Sequence, residues 1–339
     1  MLVTDTRIRG LDIARGIAVL GMFTAHTISV SNPEGGFVVL DELSGGTRPR
    51  MLFALVGGIS LGLLVAGSQI PRGAQRTQIA IRGFALLVLG LFLESFFSGV
   101  SVVIDEWGLL YFLMIPLLFV GSRWLLAGAV VLMVSGHIAI AAGAGETPTP
   151  PGQGGILELI LSWLFTGSYP LVTWLPSIVA GYLIARLDIR RPATQGWMLG
   201  VGAPVFAIGL VVTALTSGQG EPETWPATLA QQLSALGCAA AVVGGLVWLT
   251  SSRAGRVGRL VGRLLYPLAA AGAMPLTVYT VHVLVLAAWY LIDPAGWGPD
   301  STTWTIFTIV TLVVAPLWRL TLGQGPLERG LALISGRRR

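Results

Sequence analysis

Lysine is missing from this 339-residue chain, and all 21 basic residues are arginine. Cysteine occurs once, as Cys238, so no intramolecular disulfide can form and no redox thiol pair is indicated. One cysteine and three histidines, set in separate apolar runs, give no zinc-ligand spacing, and no metal is expected. Charge of either sign is scarce, at 11% of residues against roughly 25% in a soluble domain. The sequence has no Walker loop, dinucleotide glycine fingerprint or nucleophile elbow. No non-apolar stretch is long enough to build a soluble domain. Any chemistry must therefore be assembled from helices and short loops.

What the chain has instead is apolar length: 54% apolar residues and a mean hydropathy of +0.78. A bilayer core about 30 Å thick takes ~20 apolar residues per helix. Such runs fall near 10–30, 51–68, 79–98, 107–121, 124–143, 169–186, 196–216, 229–250, 272–292 and 303–322. The expected fold is an all-α polytopic membrane protein, a single bundle of about ten transmembrane helices filling residues 1–339. The run 107–121 is short, and reads as tilted or as part of a longer broken helix. Residues 156–165 are too few to span, and are expected at the interface or re-entering. No small-residue cleavage site follows the first run, which is therefore expected to be retained rather than removed as a signal peptide.

The arginines set an orientation. With the N-terminus inside, Arg7, Arg9, Arg15, Arg72, Arg76, Arg82, Arg123, Arg186, Arg190 and Arg191 fall at cytoplasmic ends. So do Arg253, Arg256, Arg259, Arg263, Arg319, Arg329 and Arg337 to Arg339, leaving only Arg48 and Arg50 outside. The outer loops take acids: Glu34, Asp41, Glu42, Asp105, Glu106, Glu146, Glu221, Glu223, Asp293 and Asp300. This positive-inside pattern puts both termini in the cytoplasm. The isoelectric point near 10.0 then reflects topology, and no nucleic-acid partner is expected. The alanine- and glycine-rich, lysine-free composition points to a bacterial plasma membrane.

Ionisable groups at membrane depth are costly and face a partner or a watery cavity. Here they are Asp12, Arg15, His26, Glu94, His137 and His282. Asp12 and Arg15 are one helical turn apart. His26 lies about three turns beyond Arg15, within ~20° of the same azimuth and about 16 Å along the axis. The three form one stripe, which admits two readings. Arg15 can snorkel and pair with Asp12 while His26 merely packs, or the stripe can be functional. His282 has Tyr279 one turn before it, and His137 has Ser135 and Gly136 beside it; either histidine can be a packing residue. Glu94 lies near the outer end of its run, and either faces outer water or holds the His26 tautomer. Arg48 and Arg50, which break the topology rule, either pair with outer acids or meet an anion in a cavity. Gly57, Gly58 and Gly62 suit close helix packing. Pro170 and Pro176 are expected to kink or break their span, as cavity-lining helices often are.

Several of these stretches resemble a known family. "RIRGLDIARGIAVLGMFTAH" (7–26) resembles the first-helix signature of the transmembrane acyltransferase superfamily. Its branches include the heparan-α-glucosaminide N-acetyltransferase catalytic domain, the YeiB-like proteins and the acyltransferase-three family. In the last branch an arginine, ten residues and a histidine mark the active site, and Arg15 and His26 match that spacing. The other two branches tend to have asparagine where this chain has His26. "RPRMLFALVGGISLGL" (48–63), "TGSYPLVTWLPSIVAGYLIARLD" (166–188), "AGAMPLTVYTVH" (271–282) and "GPLER" (325–329) are similar to segments of the YeiB-like and heparan branches.

The resemblance implies an enzyme that moves an acyl group from cytoplasmic acyl-CoA, with acetyl-CoA the expected donor, to an envelope sugar, glycan or glycolipid at the outer face. It implies His26 as general base, with a transient acyl-histidine as the variant. Asp12, Arg15, Arg72, Arg76, Arg82, Arg256, Arg259 and Arg263 are the candidate holders of the CoA phosphates. Tyr279, His282, Glu94, Arg48 and Arg50 are candidates to steady the oxyanion, orient the base or hold the acceptor. The bilayer, the donor and the acceptor are the expected partners, and a homo-oligomer is admissible. The competing reading is a transporter or flippase for a lipid or small anionic solute, which also suits broken helices and intramembrane histidines. A structural or assembly protein is the third, but it has no need of the Arg15/His26 stripe.

Overall fold

A computed structural model describes residues 7–28, 47–96, 100–146, 155–216 and 224–336. Glu34, Asp41, Glu42, Glu221, Glu223 and Arg337 to Arg339 lie outside the described residues. Every regular element among those described is helical. In order they are α1 (Arg9–Thr27), α2 (Thr47–Ala66), α3 (Arg72–Glu94), α4 (Ile104–Leu117) and α5 (Ser122–Ala141). A short α6 (Ile156–Leu161) runs through a π turn (Ser162–Thr166) towards α7 (Leu171–Arg186). Then come α8 (Pro192–Thr216), α9 (Trp225–Leu249), α10 (Gly255–Leu264), α11 (Tyr266–Gly272), α12 (Pro275–Ile292), α13 (Ser301–Thr321) and α14 (Pro326–Ile334).

Seven of these, α2, α3, α5, α8, α9, α12 and α13, are long and apolar enough to cross a bilayer. The α6 segment and α7 meet at a 52° bend and make an eighth if they count as one span. The expectation of about ten spans therefore narrows, for two physical reasons. Helix α4 has 14 residues, about 21 Å of axial rise against a ~30 Å hydrocarbon core. Helix α1 has 19 residues but carries Asp12, Arg15 and His26. It tolerates them because fourteen of its residues are buried inside the bundle, away from lipid. At the periphery the pattern reverses. Helix α13 buries only Ala315 and exposes Ile306, Ile309, Val310, Val313, Val314 and Leu317. So large an exposed apolar face is what a bilayer would cover.

Side-chain contacts show which helix ends lie together. Arg186 at the end of α7 donates to the carbonyls of Leu118 and Val120 and to Ser122, where α4 ends and α5 begins. Arg72 and Arg76 at the start of α3 lie over Phe119. The start of α1 meets the end of α9 at Gly10, and Arg9 reaches Gly262 of α10. These ends form one arginine-rich face. On α10 the exposed Arg256, Arg259 and Arg263 share one side and Val257, Leu260 and Leu264 another, while Gly258 and Gly262 are buried. At the opposite ends, Asp300 caps α13 by accepting from the Thr303 amide and hydroxyl. Those bonds hold its carboxyl below the usual range, so the cap is fully made at neutral pH and lost on acidification.

Helix α2 is the centre of the packing. Its Gly58 rests on the carbonyl of Ile178, and Gly181 of α7 rests reciprocally on the carbonyl of Leu55, so a Cβ at either position would collide with backbone. Glycine 57 lies beneath the indole of Trp107. Asp105 and Glu106, expected in an outer loop, are instead first-turn residues of α4 and are buried. Acids favour both loops and helix N-termini, where the backbone dipole attracts negative charge.

Gly181→Val is expected to lower stability by about 1–3 kcal/mol or more through overpacking against α2. Gly200→Ala, mid-helix in α8 with nothing within contact distance, should be neutral or stabilising by up to about 1 kcal/mol. Thermal unfolding of the two variants in the same detergent, followed by fluorescence, would check the contrast.

Candidate active site between two cavities

Arg15 lies in the middle of α1 and ties three helices together. Its Nη1 donates to Asp12 Oδ1 at 2.6 Å and to the Gly272 carbonyl of α11 at 2.7 Å. Its Nη2 donates to Ser60 Oγ of α2 at 3.0 Å. Arg7 approaches the other Asp12 oxygen at 3.8 Å. The Gly272 carbonyl is free because the chain breaks before α12. In an unbroken helix it would accept from the amide of Leu276. That amide donates instead to Glu328 Oε1 at 2.7 Å. The same carboxylate takes the Thr277 amide at 3.1 Å and the Thr277 hydroxyl at 2.6 Å. Glu328 from the "GPLER" segment thus caps α12, an anion at a helix N-terminus. Sequence reasoning gave it no role; the clue was a lone acid in an otherwise basic tail.

Helix α12 carries the other half of the site. His26 in the last turn of α1 and His282 on α12 are joined by a 2.8 Å contact between Nδ1 and Nε2, in near-parallel rings 5.1 Å apart. Both histidines are buried, and the outer nitrogens, His26 Nε2 and His282 Nδ1, have no hydrogen-bond partner. One shared proton couples the two tautomers, so protonation at one outer nitrogen can be answered by release at the other. In the tautomer with the shared proton on His26 Nδ1, His282 Nε2 accepts it and His26 Nε2 carries the lone pair of a base. Phe23 and Phe307 pack around His282. Among the described residues no third His, Cys, Asp or Glu joins the pair in a metal-like cluster.

Tyr279 is one turn before His282, with its ring 4.9 Å from that imidazole and 6.1 Å from His26. Its hydroxyl accepts from the Val103 amide at 3.1 Å. Beyond it lies a polar cluster the sequence did not reveal. Asp105 Oδ2 accepts from Trp163 Nε1 at 2.8 Å, while Asp105 Oδ1 and Glu106 Oε2 are buried without partners. Glu94 is exposed and acts on these two acids; it has no bond to His26. Arg50 lies over the Tyr169 ring at 5.3 Å, and its charge is the one that acts on His26. Arg48 lies over Phe206 at 5.8 Å.

Two cavities approach this centre. One, of about 260 Å³, has Arg7, Arg15 and Glu328 at one end, Ser60 and Trp107 along its wall, and Tyr279 and Val103 at its other end. Its lining is largely apolar. The second, of about 240 Å³, lies at the end away from the arginine-rich face and includes Arg50, Met51, His137, Thr173 and Gln232. The two imidazoles line neither cavity. They are flanked by Tyr279 on the first and linked to the second through Arg50. Of the arginines put forward for an anionic donor, Arg15 lines the first cavity. Arg72 and Arg76 lie on Phe119, Arg82 acts on the cavity residue Tyr111, and Arg259 is exposed on α10.

Glu328→Ala is expected to destabilise the protein by about 0.5–2 kcal/mol, the usual cost of a lost cap. Combined with Thr277→Val it should be non-additive, with a coupling of roughly 0.5–3 kcal/mol, since the two side chains act as one unit. Denaturant unfolding of the four members of this cycle would measure it.

Residues 186–332 match the family described as protein of unknown function (DUF418). The matched stretch holds Tyr279, His282 and Glu328 but not the Arg15 and His26 half of the site. No curated protein matches the chain.

Proposed function

We propose that the protein is an integral-membrane acyltransferase of a bacterial plasma membrane, with both termini cytoplasmic. It would transfer an acyl group, acetyl by preference, from cytoplasmic acyl-CoA to an envelope sugar, glycan or glycolipid at the outer face. The observation that carries this reading is the first cavity. It runs from Arg7 and Arg15, at the end nearer the arginine-rich face, to Tyr279 beside the His26–His282 pair. A thioester on a long, thin arm needs such a passage: cations at the mouth for phosphates, apolar walls, and a base at the far end. Arg15 keeps donors to spare beyond its three protein bonds.

In this reading His26 Nε2 takes the proton of the acceptor hydroxyl or amine as that atom attacks the thioester carbonyl. The new C–O or C–N bond forms, the C–S bond breaks, and the thiolate of CoA leaves with the proton returned through the histidine pair. His282 acts as a positioning residue that fixes the His26 tautomer. Tyr279 and Arg50 border the place where oxyanion charge develops. Covalent catalysis through an acyl-histidine would use the same lone pair.

The test is acetyl-CoA binding and release of free CoA by the purified full-length protein in lipid nanodiscs. His26→Ala should slow thioester turnover about 10²–10⁴-fold with CoA affinity unchanged. Absence of CoA binding refutes the proposal, and solute flux into vesicles without thioester turnover would favour a carrier. Full turnover by His26→Ala would refute the assignment of the base.

A further inference from the structure

The second cavity contains the third histidine, which the transfer step does not use. His137 is buried, at 6% exposed, and its Nδ1 is bonded to the Met133 carbonyl at 2.7 Å. A carbonyl can only accept, so Nδ1 bears the proton and Nε2 is left as a bare acceptor. Among the described residues nothing bonds to that nitrogen, in a side chain that forms part of the cavity wall. It calls for a hydroxyl or amine hydrogen from a ligand.

The rest of the wall calls for negative charge. Arg50 borders the cavity with no ion pair among the described residues; its guanidinium lies over the Tyr169 ring and its Nε is buried without a partner. Among the described residues no aspartate or glutamate is part of the lining. Two helices begin at this cavity, α7 just after Pro170 and α9 with Thr228 in its first turn, and Thr47, the first described residue of α2, also borders it. Their positive dipole ends add to the guanidinium. The amide nitrogen of Gln232 is committed to Thr173 O at 2.6 Å and Ser177 Oγ at 3.0 Å, which fixes its orientation at the wall. A guanidinium without an ion pair, two helix N-termini and no acid among the described residues describe a site suited to an oxyanion. The volume of about 240 Å³ is below the roughly 300–1,000 Å³ of drug-sized pockets, so the ligand portion it takes is small.

We propose that this cavity binds a small hydroxylated oxyanion, a carboxylate or phosphate on a polyol or sugar. The anion would sit on Arg50 and the converging helix ends, with a hydroxyl donating to His137 Nε2. This deepens the acyl-transfer reading by giving the acceptor a negative charge, and rests on it for the word acceptor only. Arg50 borders this cavity with its guanidinium over the Tyr169 ring.

Binding is tested by calorimetry on the full-length protein in nanodiscs without acyl-CoA, using glucuronate, glucose 6-phosphate and glucose. At least one charged probe should bind ten-fold or more tightly than glucose, and which one does so tells carboxylate from phosphate. Arg50→Gln should erase that preference, Arg50→Lys should keep part of it, and His137→Phe should weaken the preferred probe about ten-fold. Glucose binding as well as the charged probes, no binding by any of them, or a preference that survives Arg50→Gln would overturn the proposal. The comparison of probes on the native protein needs no variant, so it decides the matter even if Arg50→Gln fails to fold. Charged-probe binding without thioester turnover would refute the transfer reading and keep the site. Turnover without charge preference would refute the site alone.

Discussion

A guanidinium held inside an apolar bundle organises this molecule. Removing one partner of a buried charge is expensive, because the remaining charge has no water to turn to. Arg15 meets that demand with a carboxylate on its own helix, a hydroxyl on α2 and a carbonyl on α11. The carbonyl is available only because the helix breaks before Pro275, and the break is held by Glu328 bonding the amides that would otherwise close it. One charge thus fixes where α12 starts, and through it where Tyr279 and His282 stand. The same arrangement requires α1 to be sheathed by more apolar helices, which accounts for the contrast between buried α1 and the exposed face of α13.

How much of this was legible in the sequence depended on the range of the interaction. The Arg15/His26 stripe could be read because eleven residues of helix return to the same face, and that geometry is local. The meeting of His26 with His282 joins positions 256 apart in the chain, and no periodicity carries that information. The same limit hid Glu328, whose partners lie about fifty residues before it. Glycines 57 and 58 were read correctly as packing residues, since a small side chain in an apolar run has few other uses.

The misreadings share a different cause, namely that one residue type serves two environments. Asp105 and Glu106 looked like loop acids because they precede an apolar run; they open α4 and are buried. Hydropathy also placed spans at α1 and α4, which fall outside the seven by composition and length: α1 carries Asp12, Arg15 and His26, and α4 is short by about 9 Å of rise. Arg48 and Arg50 broke the charge rule together, yet they part in the structure, one over Phe206 and the other at a cavity wall. Identity and neighbourhood in sequence were the same; only the helix face differed.

The placement of the histidine pair has a consequence for how two substrates could share it. The imidazoles line neither cavity, and the protein between the cavities includes the Tyr279 ring, itself hydrogen-bonded to the Val103 backbone. A molecule in the first cavity and one in the second would therefore approach the same base from opposite ends of the bundle without sharing an entrance. Such separation would suit the transfer across a membrane proposed above, because an open passage between the two cavities would leak water and ions. A proton shared between His26 and His282 moves within a 2.8 Å contact, but the acyl transfer proposed above also brings the acceptor atom into bonding contact with the thioester carbonyl, so it requires the wall at Tyr279 to yield. Burial of the pair is then compatible with reactivity at its edges, and Phe23 and Phe307 pack against His282 on its other sides.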